Sequence, residues 1–561
     1  MVSKIIDFLS RSTEGLHQAA ILLGLSAIAS QALALLRDRL LAHTFGASST
    51  LDVYYAAFKI PDYIYVTIAS IVSVTILLPF IVERQNGETA KARAFIDGVF
   101  TLFVILVGAV AIVAFFLIPQ LTGLVVPGFS APEIKEFVML SRILLLSPIL
   151  LGLSNLLGSI TQSHQRFFVY AMTPVLYNIG IILGVVVFYP LLGLSGLVWG
   201  VVLGAFLHFA IQLPTVYRLN LLPHLKVRID FLEIKQVLVA ALPRTIALSV
   251  HSIVFILLTN FASKMIDGSI AVFSFAHNIE AVPLGIVGIS YSVAAFPVFA
   301  RFFSNGELSK FISHVGTAAK HIIFWSLPIT ALFIVLRAQI VRTILGSGEF
   351  DWTSTRLVAA LLAIFSFSIV AQGLNLLFVR AYYAAGNTIK PLVINVISSG
   401  LTMATAFVSL YLWAKYEMFR YFFESLFRVT DVSGTIVLML AFAFSVGLLV
   451  NLVIFWVIFE KDFPSFTKEI GLTVRHSFYA AVLMGFVARQ FLEVLDNIFD
   501  INTLPGIFLQ GFLAGIFGII AGIFLLKLLG NQEIADIYQA LHGKFWRAKP
   551  IQPSPDETTN A

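Results

Sequence analysis

Apolar runs alternate with short polar segments along nearly the whole chain, and about fourteen of them have the roughly 20 residues that a helix needs to cross a hydrocarbon core. They are centred near Ala29, Ala69, Leu106, Leu150, Ile179, Leu203, Val254, Val287, Leu327, Ile369, Leu401, Ala443, Val482 and Ile516. The runs are continuous, whereas barrel strands alternate apolar and polar positions. Inside a bilayer the backbone must close its own hydrogen bonds, so each run is predicted to be an α-helix. A cleaved signal peptide would not recur, and none of the runs is read as one.

Landmarks within this pattern repeat. Pro174 is followed by Asn178 and Gly184, and Pro391 by Asn395 and Gly400, at an offset of about 217 residues. Asn86-Gly87-Glu88 and Asn305-Gly306-Glu307 each follow a run with a proline near its end, Pro79 and Pro297, at an offset of about 219. The matching order and spacing predict that spans 1–6 and 7–12 are copies. An even number of spans per copy keeps both in one orientation, so the lobes are expected to be parallel, with a cavity on the axis between them. The expected fold is an all-α polytopic membrane protein: two six-helix lobes with pseudo-twofold symmetry, and two extra C-terminal helices.

The corresponding segments are an interfacial stretch at 1–18, an N-lobe at 19–217, a C-lobe at 218–460, the two extra spans at 461–530 and a cytoplasmic tail at 531–561, disordered after Ile551. The loop from Lys415 to Asp431, with its mixed charges, is expected to hold an interfacial helix rather than a domain.

Composition agrees with a bilayer as solvent: 59% of the 561 residues are hydrophobic and 12% charged, too little polar surface for a soluble globule of this size. The net charge of +6 is assigned to topology rather than to nucleic acid, because Lys and Arg collect in cytoplasmic loops. Placing the N-terminus inside puts about twice as many basic residues inside as outside, so both termini are expected in the cytoplasm. There is no cysteine, which removes disulfides, thiolate metal sites and cysteine nucleophiles.

A charge near the bilayer centre costs roughly 2.5–3.5 kcal/mol on insertion scales, so charges kept there usually face a cavity or a partner. On span 2, Asp52, Tyr55, Lys59 and Asp62 recur at helical spacing. On span 1, Ser30 and Arg37 share one face, and Gln31 and Asp38 a neighbouring one. In the second half, Arg244 and His251 lie two turns apart on span 7, and span 8 carries Ser274, His277, Asn278 and Glu280. These sets read as the lining of the cavity; lone His208 and Arg142 read as structural. Cationic side chains there suit a phosphate-bearing ligand, although Asp38, Asp52 and Glu280 could neutralise them within the protein.

No phosphate loop, His-Glu-x-x-His or nucleophile elbow is present, so an enzyme is not expected. No cofactor is expected either. The drive would be the membrane potential or a monovalent cation gradient, one charge moved across 100 mV being worth about 2.3 kcal/mol.

Several stretches resemble the MurJ/MviN lipid II flippase family. They are Arg37-Asp38 with Phe45-Gly46-Ala47, Asp52 and Ala57-Phe58-Lys59-Ile60-Pro61; Pro127-Gly128-Phe129; Gln212-Leu213-Pro214; Gly348-Glu349-Phe350-Asp351; and Arg380-Ala381-Tyr382-Tyr383-Ala384 with Asn387-Thr388 and Pro391. The likeness covers residues of about 20 to 400 well. It implies fourteen helices of the multidrug/oligosaccharidyl-lipid/polysaccharide flippase superfamily, residence in the bacterial plasma membrane, and movement of an undecaprenyl-pyrophosphate-linked peptidoglycan precursor to the outer leaflet. By the same resemblance the last two spans would form a groove for the lipid tail. The family usually places cavity arginines where this chain has Gln31, the neighbourhood of Val66, and Asn278; Arg37, Asp38, Asp52 and Lys59 of its charged set are kept. Arg244, His251 and His277 could supply substitute charge. The expected function is thus lipid II translocation by alternating access, acting as a monomer on a polyprenyl-linked anionic lipid. A flippase for another polyprenyl-linked glycan, as for capsule or O-antigen, and a non-transporting scaffold stay open.

Overall fold

The computed structural model describes residues 16–69, 89–226 and 231–534, together with Val72, Leu77, Phe80 and Ile81. Among them every regular element is helical. Eleven helices are long and apolar enough to cross a membrane, and a twelfth span forms if Trp352–Ser366 and Ile369–Ala384, bent by 43° at the break between them, are taken as one. These twelve fall on the third to fourteenth expected spans. The first two expected spans, outside that count, fall on the 30-residue helix α1 (Leu16–Phe45) and on a broken run of α2 (Ser49–Ala57), α3 (Lys59–Ile64) and the π-helical turn Tyr65–Ala69. Most of the 1–18 stretch, Pro79, Arg84, Asn86-Gly87-Glu88 and the tail after Ile551 lie outside the described residues.

The first lobe continues through α4 (Thr89–Val125), α5 (Ala131–Leu144), α6 (Leu146–Ser163), α7 (Phe167–Leu183), α8 (Tyr189–Leu192), α9 (Leu194–Ala210) and α10 (Leu213–Arg218). Helices α7 and α9 pack backbone to backbone, since a side chain on Gly180 would collide with Gly204, and one on Gly200 with Gly184. Where lipid tails are as apolar as leucine, such close van der Waals approach is what holds helices together.

The second lobe begins with α11 (Phe231–Ala262) and α12 (Ser269–Pro283), which runs into the π-helical turn Leu284–Ile289 and α13 (Ser290–Ser304). It continues with α14 (Leu308–Val335), α15 (Arg337–Leu345), α16 (Trp352–Ser366), α17 (Ile369–Ala384), α18 (Ile389–Lys415), α19 (Glu417–Phe427) and α20 (Leu438–Asp462). The sequence repeat has a structural counterpart. Pro174 and Asn178 lie on α7, and Pro391 and Asn395 on α18. The π-helical turns of Tyr65–Ala69 and Leu284–Ile289 recur at the same offset, about 219 residues.

The loop after Lys415 holds one short helix, α19, as expected, with Phe423 and Glu424 buried and Met418, Tyr421 and Phe422 exposed. The last two helices, α21 (Phe466–Asp496) and α22 (Leu504–Leu528), pack on each other, with Phe491 stacked on Phe517 at 4.0 Å. Helix α21 also lies along α14.

The lobes are sewn together where α1 ends. Gly46, at φ +62°, turns the chain out of α1; an added Cβ there would lie 2.6 Å from the Glu349 carbonyl oxygen. The Glu349 N–H donates to the His43 carbonyl at 3.0 Å, and Arg39 Nη1 donates to the carbonyls of Thr343 at 2.7 Å and Ile344 at 3.3 Å. Gly268, at φ +86°, opens α12 against Ala47 in the same way. Farther along the boundary, Thr67 and Ser249 hydroxyls lie 3.1 Å apart.

A polar cavity between the lobes

Between this seam and the middle of the bundle lies a cavity of about 270 Å³, walled by α1, α2, α3 and α7 from one lobe and by α11 and α12 from the other. Arg37, Lys59, Asp62, Ser274, His277 and Asn278 line it, among Tyr54, Tyr55, Phe58, Tyr177, Phe255 and Phe273. Helical spacing puts Lys59 and Asp62 on one face of α3, and packing brings Arg37 to them from α1. Asp62 lies one turn beyond Lys59, and Arg37 lies two turns beyond Ser30, whose hydroxyl accepts from Asn178 Nδ2 at 3.1 Å.

Arg37 is held at three points. Its Nε donates to Asp38 Oδ1 at 2.9 Å, Nη2 lies 2.8 Å from the same oxygen, and Nη1 donates to Asn178 Oδ1 at 3.5 Å. The other oxygen of Asp38 accepts from Asn278 Nδ2 at 3.1 Å. A polar chain therefore crosses the cavity from Asn178 on α7 through Arg37 and Asp38 to Asn278 on α12. Asn178, read in the sequence as a repeat landmark and not as a site residue, positions the arginine.

Lys59 is placed differently. Its ammonium stands 5.6 Å from the ring centre of Phe255, within cation–π range, and among the described residues it has no ion-pair partner. His251 and His277 share an aromatic cage. His251 is 5.2 Å from Phe255 and 6.2 Å from Phe444, and His277 is 5.1 Å and 5.6 Å from the same two rings.

Of the expected substrate-contacting residues, Arg37, Lys59, His277 and Asn278 line the cavity, Asp38 braces Arg37, and His251 adjoins through Phe255. Asp52 corrects the expectation: it is buried and accepts from the N–H groups of Gly268 at 2.7 Å and Ala271 at 2.8 Å, so it caps α12 across the lobe boundary. The stripe on span 2 placed it with Lys59, but Asp52 stands in the first turn of α2, two turns nearer the seam, where the start of α12 takes up its carboxylate. The side chain of Arg244 lies outside the described residues. His208 bonds the Ser154 hydroxyl, at 2.6 Å from Nδ1, and Arg142 Nε donates to the Phe115 carbonyl at 3.0 Å, both structural as read.

Sequence reasoning passed over the aromatic wall of Tyr54, Tyr177 and Phe255, since rings in an apolar helix carry no signal that separates cavity from core. Among the described residues no group of three or more His, Asp or Glu could hold a metal ion. What the cavity offers is one braced guanidinium and one ring-backed ammonium, a pair suited to the oxygens of a phosphate.

The comparisons with known proteins bear on the fold and the family. The "Probable lipid II flippase MurJ" of Buchnera aphidicola subsp. Schizaphis graminum is 25% identical over 390 residues, covering 69% of this chain and 76% of that protein. The "Lipid II flippase MurJ" of Burkholderia cenocepacia is 24% identical over 367 residues, covering 63% and 70%. Among solved structures, a lipid II flippase MurJ in an inward closed conformation superposes with a TM-score of 0.71 at 21% identity, over 92% of this chain and all of that one. An inward-facing multidrug transporter of the MATE family superposes at 0.61 and 16% identity, over 78% and 96%; these likenesses carry the fold. The model of the lipid II flippase MurJ family matches residues 41–509, and the chain belongs to that family.

Proposed function

We propose that this chain is a flippase that moves lipid II from the inner to the outer leaflet of the bacterial plasma membrane by alternating access of the interlobe cavity. The observation that carries the reading is Lys59, a cation at membrane depth that is backed by a ring, left without an ion-pair partner among the described residues, and facing a space between two lobes. A charge held there at cost is a charge kept for a ligand. Arg37 is its companion: Asp38 fixes the guanidinium through Nε and Nη2, and Nη1 is held only by the long 3.5 Å bond to Asn178.

The loop charges support a topology with both termini in the cytoplasm. In that topology the seam around Gly46, Glu349 and Gly268 closes the outer side, and the headgroup enters from the inner side. The polyprenyl tail would lie along α21 and α22, whose exposed Phe486, Phe512, Ile520 and Phe524 offer an apolar surface. Transport needs no catalysis by the chain itself.

The test is depletion of the protein in its host, with complementation by the wild type, Arg37→Ala and Lys59→Ala, and lipid II accessible on the outer leaflet as the readout. Loss on depletion, restored by the wild type and by neither variant, is expected. Unchanged lipid II exposure in depleted cells overturns the substrate, and full rescue by both variants overturns the site. Mass spectrometry of the co-purifying lipid separates lipid II from another polyprenyl-linked glycan.

A further inference from the structure

Behind the cavity wall sits a carboxyl group that the phosphate-binding reading does not use. Glu280, on α12, is fully buried. One of its oxygens accepts a hydrogen bond from Gln372 Nε2 on α17. The other, Oε2, has no hydrogen-bond partner; it lies 3.7 Å from His277 Nδ1, which has none either. His277 is 28% exposed, and that exposure is to the cavity it lines. Two facing polar atoms, each unsatisfied, one on a sealed carboxyl and one on a ring that reaches the cavity, make a site that lacks a single proton.

We propose that Glu280 and His277 form a proton-carrying site that couples movement of the lobes to proton uptake and release in the cavity. The inference rests on the reading of that cavity as the transport pathway. As the neutral acid, Glu280 turns its Oε2–H toward His277 Nδ1, and a small approach from the 3.7 Å separation joins the two orphaned atoms in a hydrogen bond. For release, Nδ1 takes that proton while Nε2 gives one to cavity water. One proton leaves, the ring stays neutral as its Nδ1–H tautomer, and a carboxylate remains in the membrane interior, faced only by the neutral donors Gln372 Nε2 and His277 Nδ1–H. An uncompensated charge in such surroundings is expensive, so the surrounding helices are driven to rearrange.

Two irregular elements stand ready to answer. Glu280 is one turn before the π-helical turn Leu284–Ile289, and its partner Gln372 is one turn past the 43° bend between α16 and α17, where it also donates to the Ser368 hydroxyl at 3.0 Å. Breaks of this kind are where helices bend. The charge on Glu280 is therefore tied directly to both.

Other charged or titratable groups face the pair from each packed helix. Lys59 comes from α3 and His251 from α11; Arg37 and Asp38 approach through Asn278 from α1; Asp52 and Tyr55 face α12 from α2. Helix α16 presents the ring of Phe365. Asp38 and Asp52 are fully engaged in their own bonds. The ammonium of Lys59 lines the same cavity as His277 and opposes a second positive charge there, so the proton rests on the carboxyl and only passes through the ring.

The test uses the full chain in liposomes, first without any lipid substrate. Difference infrared spectroscopy across a pH titration is expected to show a carboxylic-acid carbonyl band that Glu280→Gln removes and that His277→Gln keeps but shifts in pH midpoint. A band unchanged by Glu280→Gln overturns the proposal whatever the substrate. With labelled lipid II added, an imposed pH gradient is expected to alter the translocation rate of the wild type, and this dependence is lost in Glu280→Gln. Retention of the dependence also overturns it. A titrating Glu280 band in a protein that moves no lipid II at all would leave the proton site standing and remove the substrate reading instead.

Discussion

Asp52 of the first lobe accepts a hydrogen bond from the backbone N–H of Gly268 in the second at 2.7 Å, so a carboxylate of one repeat completes the helix start of the other. Both N–H groups that it serves lie in the first turn of α12 or just before it, where helices leave donors unpaired.

Asp52→Ala orphans the N–H groups of Gly268 and Ala271, at about 1–3 kcal/mol for each buried group left unsatisfied. The seam is expected to open more readily. Because the chain has no cysteine, spin labels on Thr50→Cys and Asp267→Cys report the gap without background. A longer and broader distance distribution in the Asp52→Ala protein is expected, and an unchanged one removes the role of this contact in closure.

Arg37→Ala and Lys59→Ala are expected to abolish transport by different routes. Removing Arg37 leaves buried Asp38 with only Asn278, and breaking a buried pair costs about 3–5 kcal/mol, so thermal stability in detergent falls as well. Lys59 stands against the Phe255 ring, with Asp62 one turn away and no ion pair among the described residues, so Lys59→Ala is expected to lose transport while the melting temperature moves little. Equal melting shifts in the two variants contradict this division.

Gly180→Leu drives a side chain into Gly204, across the backbone contact between α7 and α9. Overpacking of this kind costs about 1–3 kcal/mol. The expected outcome is a lower melting temperature, partly recovered in Gly180→Ala.

The Arg356 guanidinium grips Asp431 with two hydrogen bonds, at 2.7 Å and 2.6 Å, and holds its carboxyl below the usual carboxylate range. A depressed folded-state value means that the contribution is present above the unfolded pKa of about 3.9 and is lost as pH falls through the lower folded one. The pair is at the solvent surface, so the effect is small. The melting temperatures of the wild type and Asp431→Asn are expected to differ slightly at neutral pH and to converge below about pH 4.

Much of this was legible in the chain. Apolar runs located the helices because a bilayer leaves the backbone one solution, and the proline and asparagine landmarks gave the repeat. The functions of individual polar residues were less legible. Asp52 and Lys59 occupy one stripe by spacing alone, yet two turns of depth put one against the start of α12 at the seam and the other in the cavity. Asn178 and Gln372 look like ordinary polar residues in apolar helices; what they do depends on Arg37 and Glu280, each about a hundred residues or more away. Such pairings are properties of packing, and periodicity along one helix cannot report them.

The π-helical turns at Tyr65–Ala69 and Leu284–Ile289 interrupt the second helix of each lobe at corresponding places. Each loosens the regular hydrogen-bond ladder there. Any tilting of the inner half of those two helices against their outer half can therefore be taken up at one level in both lobes, which leaves the contacts at the seam undisturbed.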